Sequence, residues 1–252
     1  MTHAVGVIPA RLGSTRLPEK VLLDRTGKPL VQHVYEAARQ AKLLSRVVVA
    51  TDSERVVRAV EAFGGEALMT SPDHLNGTSR VGEVASLLRL HDTAMVVNIQ
   101  GDEPEMDAGA IDAVVRCLSD AEAPMATIAS PFFPGEDSSS PAMVKVVMRR
   151  DGRALYFSRS FIPHPRTPIT PHAHGHRAGT PPCKHVGLYA YRKWFLDRYK
   201  SLAPGELEAI EVLEQLRVLE HGFDIQVAMF PTKSQGIDLP DQYEAFVRRY
   251  LG

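Results

Sequence analysis

VGVIPARLGSTRLPEK, residues 5–20 of the chain, passes from a short apolar run directly into a basic loop. The apolar run ends at a proline and is typical of a strand that is buried on both faces, as in a parallel sheet. Three cations, Arg11, Arg16 and Lys20, follow with two hydroxyl side chains between them. Because open α/β sheets bind ligands at the carboxyl ends of their strands, this loop is predicted to hold a polyphosphate.

The loop matches neither of the two common phosphate-binding fingerprints, since both G-x-x-x-x-G-K-[ST] and G-x-G-x-x-G are absent. Its cations would neutralise charge, and the backbone N–H groups of Gly13 and Ser14 are expected to face phosphate oxygens. The alternative is a solvated basic loop, which the charges alone do not exclude. Its position at the end of the first strand favours the phosphate site.

The composition is that of an ordinary globular protein, with 252 residues of which 44% are hydrophobic and 23% charged. A net charge of −1 argues against a nucleic-acid surface. Two cysteines, Cys117 and Cys183, are too few for a disulfide framework and lack metal-ligand spacing. The first strand leaves no room for a signal peptide, and no apolar run could span a membrane. These features predict a cytoplasmic protein without a nucleic-acid or membrane partner.

Strands and helices alternate in the first half of the chain, which predicts an α/β fold with a mostly parallel sheet. After the first strand, strands are predicted at 46–51, 66–69 and 94–99, and helices at 30–44, 53–63, 81–90 and 107–119. The second half is less regular, with strands at 125–129, 144–149, 153–158 and 225–229 and helices at 205–221 and 239–250. The helix at 205–221 is expected to bury Leu207, Ile210, Leu213 and Leu216.

No repeat or linker divides the chain, so we predict one α/β domain with a sheet-and-loop lid in its second half. Residues 163–183 are rich in Pro, His, Gly and Thr and are predicted to form a surface loop. The histidines of this loop have no regular ligand spacing, and a solvated loop is favoured over a metal site.

Asp102 follows the fourth strand, in the segment QGDEP at residues 100–104. At the active edge of a sheet its carboxylate could hold Mg²⁺, which prefers one or two carboxylates together with phosphate oxygens. The alternative is a turn residue before Pro104. A second carboxylate, Asp238, precedes Pro240. On the residues alone this spacing favours a helix N-cap with proline in the first turn.

Several motifs resemble those of the CMP-sugar synthetase family, and they occur in the same order. The pattern P-A-R-x-x-S-x-R-x-P-x-K at 9–20 resembles the family's nucleotide-binding loop and is closest to the CMP-Kdo synthetases, which act on 3-deoxy-manno-octulosonate (Kdo). Further matches are Gly-Thr-Ser-Arg at 77–80, Gln-Gly-Asp-x-Pro at 100–104, the segments 154–159 and 184–191, and Gly-Ile-Asp at 236–238. The resemblance implies a nucleotidyltransferase-type, Rossmann-like mixed sheet with helices on both faces.

The resemblance also implies roles for individual residues. Arg11, Ser14 and Lys20 would hold the triphosphate of CTP, and Arg80 and Gln100 would contact the nucleotide. Asp102 and Asp238 would bind Mg²⁺, and with Arg11 and Lys20 they form the implied catalytic set. The chain departs from the family pattern at Glu19, Val21, Ser79 and Leu239.

On the sugar side, the resemblance implies that Arg159 holds the sugar's carboxylate by two parallel hydrogen bonds. The other implied sugar contacts are Gln100, His185, Tyr189, Glu214 and Gln215. Taken singly, these residues have simpler alternatives. Arg159 could be a surface ion-pair residue, His185 and Tyr189 half-buried packing, and Glu214 part of a solvated helix face.

The implied reaction transfers the cytidylyl group from CTP to Kdo, giving CMP-Kdo and pyrophosphate for lipopolysaccharide biosynthesis. Residues 1–120 would mainly bind the nucleotide, residues 121–235 would bind the sugar and form the family's homodimer, and 1–252 would be a single domain. Two alternatives remain open. One is a synthetase for another acidic sugar, such as 8-amino-Kdo or a nonulosonic acid, and the other is a non-catalytic nucleotide-binding homologue.

Overall fold

The structure, a computed structural model, describes residues 4–74, 76–166 and 182–252. The strands within these ranges are β1 (Ala4–Pro9), β2 (Leu44–Thr51), β3 (Ala67–Met69), β4 (Met95–Asn98), β5 (Met125–Pro131), β6 (Lys145–Met148), β7 (Ala154–Ser158), β8 (Cys183–Arg192) and β9 (Ile225–Met229). The helices are α1 (Leu30–Arg39), α2 (Glu54–Ala62), α3 (Gly77–Leu87), α4 (Ala108–Asp120), α5 (Lys193–Tyr199), α6 (Glu206–Glu211), α7 (Gln215–Glu220) and α8 (Pro240–Leu251).

The strands form one mixed sheet in the order β3-β2-β1-β4-β8-β5-β9, with the β6–β7 hairpin attached to β8. Neighbours on the main path are parallel, except that β8 is antiparallel to both β4 and β5. The predicted α/β fold with a mostly parallel mixed sheet is therefore confirmed. Because β8 belongs to the second half of the chain, both halves contribute to the same sheet.

The first strand is buried on both faces, as its apolar run predicts. Successive side chains of a strand point to opposite faces, so Val7 and Ile8 enter different apolar clusters. Ile8 packs in the cluster that contains α1, α2 and α4, whereas Val7 packs in the cluster that contains α3, α5 and α7. Helices thus cover both faces of the sheet, and both residues have 0% exposure.

Several boundaries differ from the predictions. Helix α1 ends at Arg39 because β2 already begins at Leu44. Helix α3 begins at Gly77, four residues earlier than predicted, because Asn76 caps it by accepting a hydrogen bond from the Ser79 N–H at 2.8 Å. Neither strand β8 nor helix α5 is among the predicted elements, and the sequence at 184–191 is matched only as a family motif.

The predicted helix at 205–221 is wrong as a single element. It is broken into α6 and α7 at Val212, whose φ of 53° lies in the left-handed region. The break turns the first half away from the core, so Leu207 and Ile210 are exposed rather than buried. Leu213 and Leu216, after the break, are buried as predicted.

Gly101 allows the loop after β4 to lie directly against the end of β1. A Cβ atom at this position would lie 2.4 Å from the carbonyl oxygen of Pro9, a distance that real Cβ atoms do not reach. The Ile99 N–H donates to the Val7 oxygen at 2.9 Å, and the Ile237 N–H donates to the Asp102 oxygen at 2.8 Å. These contacts bring the loops after β1 and β4 to the segment before α8.

His185 lies on β8 and packs edge-on against Phe157, with ring centroids 4.9 Å apart. Its Nε2 atom lies 3.0 Å from the Thr127 hydroxyl, and the Tyr189 ring is the next aromatic neighbour. Burial lowers the pKa of His185 from 6.5 to about 3, so the ring is neutral in the folded protein.

Most of the predicted loop at 163–183 lies outside the described residues, including the histidines at 172, 174 and 176. Its last residue, Cys183, is the first residue of β8 rather than part of a loop. Within the described ranges, no helix combines the length and the apolar character needed to cross a bilayer.

Replacing Gly101 with alanine is expected to lower the free energy of unfolding by about 1–3 kcal/mol, the usual cost of overpacking against unyielding atoms. Gly13→Ala is the matched control, because a Cβ there meets no atom within 4 Å. It should change stability by no more than about 0.5 kcal/mol. Urea unfolding of both variants measures the difference, and equal stabilities would contradict the close approach.

The depressed pKa of His185 should make the protein less stable in acid. The unfolded state takes up the proton below pH 6.5 and the folded state only near pH 3, so stability is lost as pH falls through this window. By pH 5 this histidine should cost about 2 kcal/mol relative to neutral pH. Urea unfolding at both pH values should show a smaller loss for His185→Gln, whereas exposed His91→Gln should behave like the unaltered chain. If His185→Gln lost as much unfolding free energy between neutral pH and pH 5 as the unaltered chain, His185 would not be the source of the acid sensitivity.

Candidate active site

A cleft of about 880 Å³ opens at the carboxyl ends of β1 and β4. The structure brings nine of the twelve predicted site residues to its walls: Arg11, Ser14, Lys20, Arg80, Gln100, Asp102, Arg159, Glu214 and Asp238. Tyr189 and Gln215 line a smaller adjoining cavity of about 200 Å³, whose walls share Gln100 and Glu214 with the cleft. His185 lines neither cavity and contacts Thr127 instead.

Lys20 lines the cleft and lies between the two predicted metal ligands. Its Nζ donates to Asp102 Oδ2 at 2.6 Å, to Asp238 Oδ1 at 2.9 Å and to the Ile237 carbonyl oxygen at 3.1 Å. Burial by itself would lower the pKa of Lys20, but the two carboxylates outweigh burial and raise the pKa above its ordinary value. The ammonium therefore stays charged and holds two acids side by side.

The carboxylate of Asp238 does not cap helix α8, so the interpretation favoured by the residues alone is wrong. The side-chain oxygen of Gln242 accepts the backbone N–H groups of Asp238 and Leu239, at 2.8 and 2.9 Å. Helix α8 is thus capped from within its first turn. The Asp238 carboxylate is left to pair with Lys20 and, at 3.0 Å, with Arg16.

The chemistry of the donors around Lys20 suits Mg²⁺. Two carboxylates and one backbone carbonyl converge on a single cation, and hard oxygen ligands of this kind are those that Mg²⁺ prefers. In the described part of the chain no group of three or more His, Cys, Asp or Glu side chains could hold a metal ion. An ion on Asp102 and Asp238 would therefore take its other ligands from water and phosphate oxygens, as Mg²⁺ usually does.

The basic loop presents cations to the cleft and turns its extra acid away. Arg11 is exposed and, among the described residues, has no hydrogen bond or ion pair within the protein. Glu19 has a left-handed φ of 53° and pairs with Arg55 on α2, with Nη2 and Oε2 2.9 Å apart. The negative charge of Glu19, a departure from the family pattern, is thereby neutralised by Arg55 outside the cleft.

Ser14 is held differently from its prediction. Its backbone N–H, expected to face phosphate, donates to the Leu12 carbonyl at 2.8 Å and closes a turn. Its hydroxyl oxygen accepts a weak hydrogen bond from the Leu17 N–H at 3.4 Å. The Ser14 hydroxyl remains on the wall of the cleft and keeps its own proton to donate.

Arg80 is 3% exposed and is committed to protein partners. Its guanidinium donates to the Thr70 hydroxyl at 2.6 Å and to Asp52 Oδ2 at 2.8 Å. This arrangement ties the loop after β3 to the loop after β2. Arg80 therefore supports the wall of the cleft and leaves little of its guanidinium free for a ligand.

Two further residues of the cleft were not predicted. His74 contacts both the Ser79 hydroxyl, at 3.0 Å, and Glu83 Oε2, at 2.5 Å. The family pattern has an acid at the position of Ser79, and Glu83 supplies a carboxylate close to that position. Glu103 is buried and accepts from the Ser234 hydroxyl at 2.7 Å. Burial raises the pKa of Glu103 to about 7. Glu103 could have been predicted as a cleft residue because it directly follows Asp102 in the chain. His74 could have been predicted because it lies in the loop after β3, at the same edge of the sheet.

On the opposite wall, Arg159 is oriented by backbone oxygens rather than by an ion pair. Its guanidinium donates to the carbonyls of Glu211, Pro141 and Val212, at 2.7, 3.2 and 3.3 Å. In the part of the chain that the structure describes it has no carboxylate partner for the guanidinium, so the surface ion-pair alternative is not what is observed. The guanidinium therefore lines the cleft without an ion-pair partner among the described residues.

Apart from His185, the remaining predicted sugar contacts lie where the two cavities adjoin: Gln100 and Glu214 line both, and Tyr189 and Gln215 line the smaller one. Gln100 donates to the Gly187 carbonyl at 2.9 Å, and the Thr78 hydroxyl donates to Glu214 at 3.1 Å. The Tyr189 hydroxyl donates to the Gln215 side-chain oxygen at 3.3 Å. Burial raises the pKa of Glu214. This junction offers hydrogen-bond donors and acceptors of the kind that sugar hydroxyls require.

The chain resembles several known proteins along nearly its whole length. A relative from Syntrophobacter fumaroxidans, described as 3-deoxy-manno-octulosonate cytidylyltransferase, is 48% identical over 96% of this chain and 95% of its own. A protein with the same description from Anaeromyxobacter dehalogenans is 48% identical over 97% and 96%. The solved structure of CMP:2-keto-3-deoxy-manno-octonic acid synthetase complexed with CTP superposes with a TM-score of 0.88 at 41% identity, covering 99% of each chain.

The match to a protein-family model agrees with these relatives. The model described as Cytidylyltransferase matches residues 5–225, which include the basic loop, both Asp102 and Arg159, and the whole of β8. The chain therefore belongs to the cytidylyltransferase family.

Proposed function

We propose that this chain transfers the cytidylyl group of CTP to Kdo and releases pyrophosphate. The relatives described above are named for this activity, and the solved structure of one of them is a complex with CTP. The observation in this structure that carries the proposal is the Lys20 ammonium held between Asp102 and Asp238, inside a cleft that Arg11 and Arg159 also line. Such a site suits a polyanion, a divalent cation and an acidic acceptor together.

The basic loop would bind the triphosphate. Arg11 makes no hydrogen bond or ion pair with the described residues, and Lys20 adds a charged ammonium to the cleft, so both can neutralise phosphate oxygens. Ser14 would donate its hydroxyl proton to one of them. As pyrophosphate departs, negative charge accumulates on its oxygens, and fixed cations stabilise that charge more than they stabilise bound CTP.

Asp102 and Asp238 would hold Mg²⁺, which when bound supplies charge neutralisation at the phosphates and a lower pKa for a neighbouring hydroxyl. The protein's own part is to keep the two carboxylates close together. The ammonium of Lys20 does this, because it donates to both carboxylates and is itself held in place by the Ile237 carbonyl.

The acceptor would lie between Arg159 and the junction of the two cavities. Arg159 would bind the sugar's carboxylate, and Gln100, Tyr189, Glu214 and Gln215 would bind its hydroxyls. In this orientation the 2-hydroxyl attacks the α-phosphorus in line, so the reaction needs no protein nucleophile. His185 would act indirectly, by packing beneath Tyr189 rather than by touching the sugar.

Pyrophosphate release with CTP, Mg²⁺ and Kdo, each omitted in turn, tests the reaction. Release that requires all three supports the proposal. A panel with 8-amino-Kdo and a nonulosonic acid decides whether another acidic sugar is preferred. Binding of CTP without turnover on any of these acids would instead indicate a non-catalytic homologue.

The quaternary and cellular parts of the proposal rest on the sequence and the family resemblance. We propose a homodimer that works in the cytoplasm, without a nucleic-acid or membrane partner. Sedimentation of the purified chain tests the dimer, and cell fractionation tests the compartment.

Asp102→Asn should reduce kcat by roughly 100-fold or more while leaving the fold intact, because one ligand charge for Mg²⁺ is lost. Pyrophosphate release measures the turnover, and calorimetric titration with Mg²⁺ in the presence of CTP measures the metal affinity. The exposed carboxylate of Asp92, which pairs with Lys193 at the surface, provides the control Asp92→Asn. Turnover near normal in Asp102→Asn would refute the metal assignment.

Arg159→Ala should raise the KM for Kdo by roughly 10- to 100-fold, the value of a hydrogen-bonded charge pair, because a carboxylate clamp contributes mostly ground-state binding. The KM for CTP should change little. Arg249→Ala removes an exposed arginine that pairs with Glu105 and serves as control. An effect confined to CTP would place Arg159 on the nucleotide side instead.

A further inference from the structure

Lys145, the first residue of β6, is completely enclosed, with 0% exposure. Its Nζ donates to the carbonyl oxygens of Ser140, Met143 and Arg159, at 3.0, 2.7 and 2.5 Å. A buried ammonium normally pairs with a carboxylate, yet none of these three acceptors carries a charge. Removing an ammonium from water in this way carries a desolvation penalty. The position of its three acceptors indicates what the buried lysine does.

The three carbonyls all belong to the surroundings of Arg159. Ser140 and Met143 flank Pro141, whose carbonyl accepts a hydrogen bond from the Arg159 guanidinium at 3.2 Å. The third acceptor is the carbonyl of Arg159 itself. One ammonium therefore binds the arginine's backbone and also the loop that orients its side chain.

Glu211 holds the same arginine from the other side. Its carboxylate accepts the Arg159 backbone N–H at 2.9 Å, and its carbonyl accepts the Arg159 Nε–H at 2.7 Å. The backbone of Arg159 is thus held by an anion at its N–H and by a cation at its carbonyl. This leaves the backbone little freedom, and the guanidinium stays at the rim of the cleft.

We propose that Lys145 is a positioning residue for the acidic acceptor: it holds Arg159 and the loop at 140–143 so that the guanidinium faces the acceptor's carboxylate. The inference rests on the proposed role of Arg159. Lys145 does not line the cleft and would touch neither substrate. Its removal should therefore act on the acceptor alone, and only through Arg159.

Lys145→Met, which keeps the length of the side chain and removes its charge and donors, should raise the KM for Kdo roughly tenfold and leave the KM for CTP within twofold. Lys145→Arg retains donors and charge and should lie between the methionine variant and the unaltered chain. Pyrophosphate release with each substrate varied in turn measures both constants. Val60→Ala, a buried residue of α2 on the side of the sheet near β2 and β3, controls for general loss of stability.

The variants are then combined with Arg159→Ala. If Lys145 acts through Arg159, Lys145→Met should add nothing to the KM for Kdo in that background. Should Lys145→Met fail to fold, Lys145→Arg and its combination with Arg159→Ala provide the same comparison.

Three results would overturn the inference: unchanged KM values in the Lys145 variants, an equal rise for CTP, or effects that add fully to those of Arg159→Ala. Failure of the positioning role of Lys145 can be distinguished from failure of the proposed function. If Arg159→Ala itself leaves the KM for Kdo unchanged, the carboxylate clamp is wrong. If only the Lys145 variants are silent, the clamp stands and the positioning role is wrong.

Discussion

The site depends on one ammonium group between two carboxylates. Asp102 and Asp238 repel one another when both are ionised, and the positive charge of Lys20 allows them to lie together. These contacts join residues 82 and 218 positions apart in the chain. The cleft can therefore form only when the loop after β1, the loop after β4 and the segment before α8 meet. Gly101 permits this meeting because no side chain separates its loop from Pro9.

One antiparallel strand, β8, joins the second half of the chain to the first half beside the site. Strand β8 lies between β4 and β5, so residues far from the basic loop come to the edge of the sheet next to it. The hydrogen bond from Gln100 to the Gly187 carbonyl joins the two halves at that point. In the proposed reaction this junction is where nucleotide and acceptor have to meet.

The break between α6 and α7 is a second place where local preference yields to the site. A continuous helix would have used the carbonyls of Glu211 and Val212 for its own hydrogen bonds. With Val212 in the left-handed region, both carbonyls accept from Arg159 instead, and Glu214 follows directly at the cleft wall. As a consequence of this break, the apolar side chain of Ile210 is exposed to solvent.

The sequence alone determined the α/β class, the buried first strand and most of the elements, since these follow from periodicity and from residues near one another in the chain. Nine of the residues that the family motifs predict lie on the walls of one cleft. The hydrogen-bond partners of those side chains, in contrast, follow only from the folded structure. By spacing Asp238 favours a helix cap, yet Gln242 caps the helix and the Asp238 carboxylate pairs with Lys20 instead. Partners so distant along the chain leave no local pattern, because contact between them is created by folding itself.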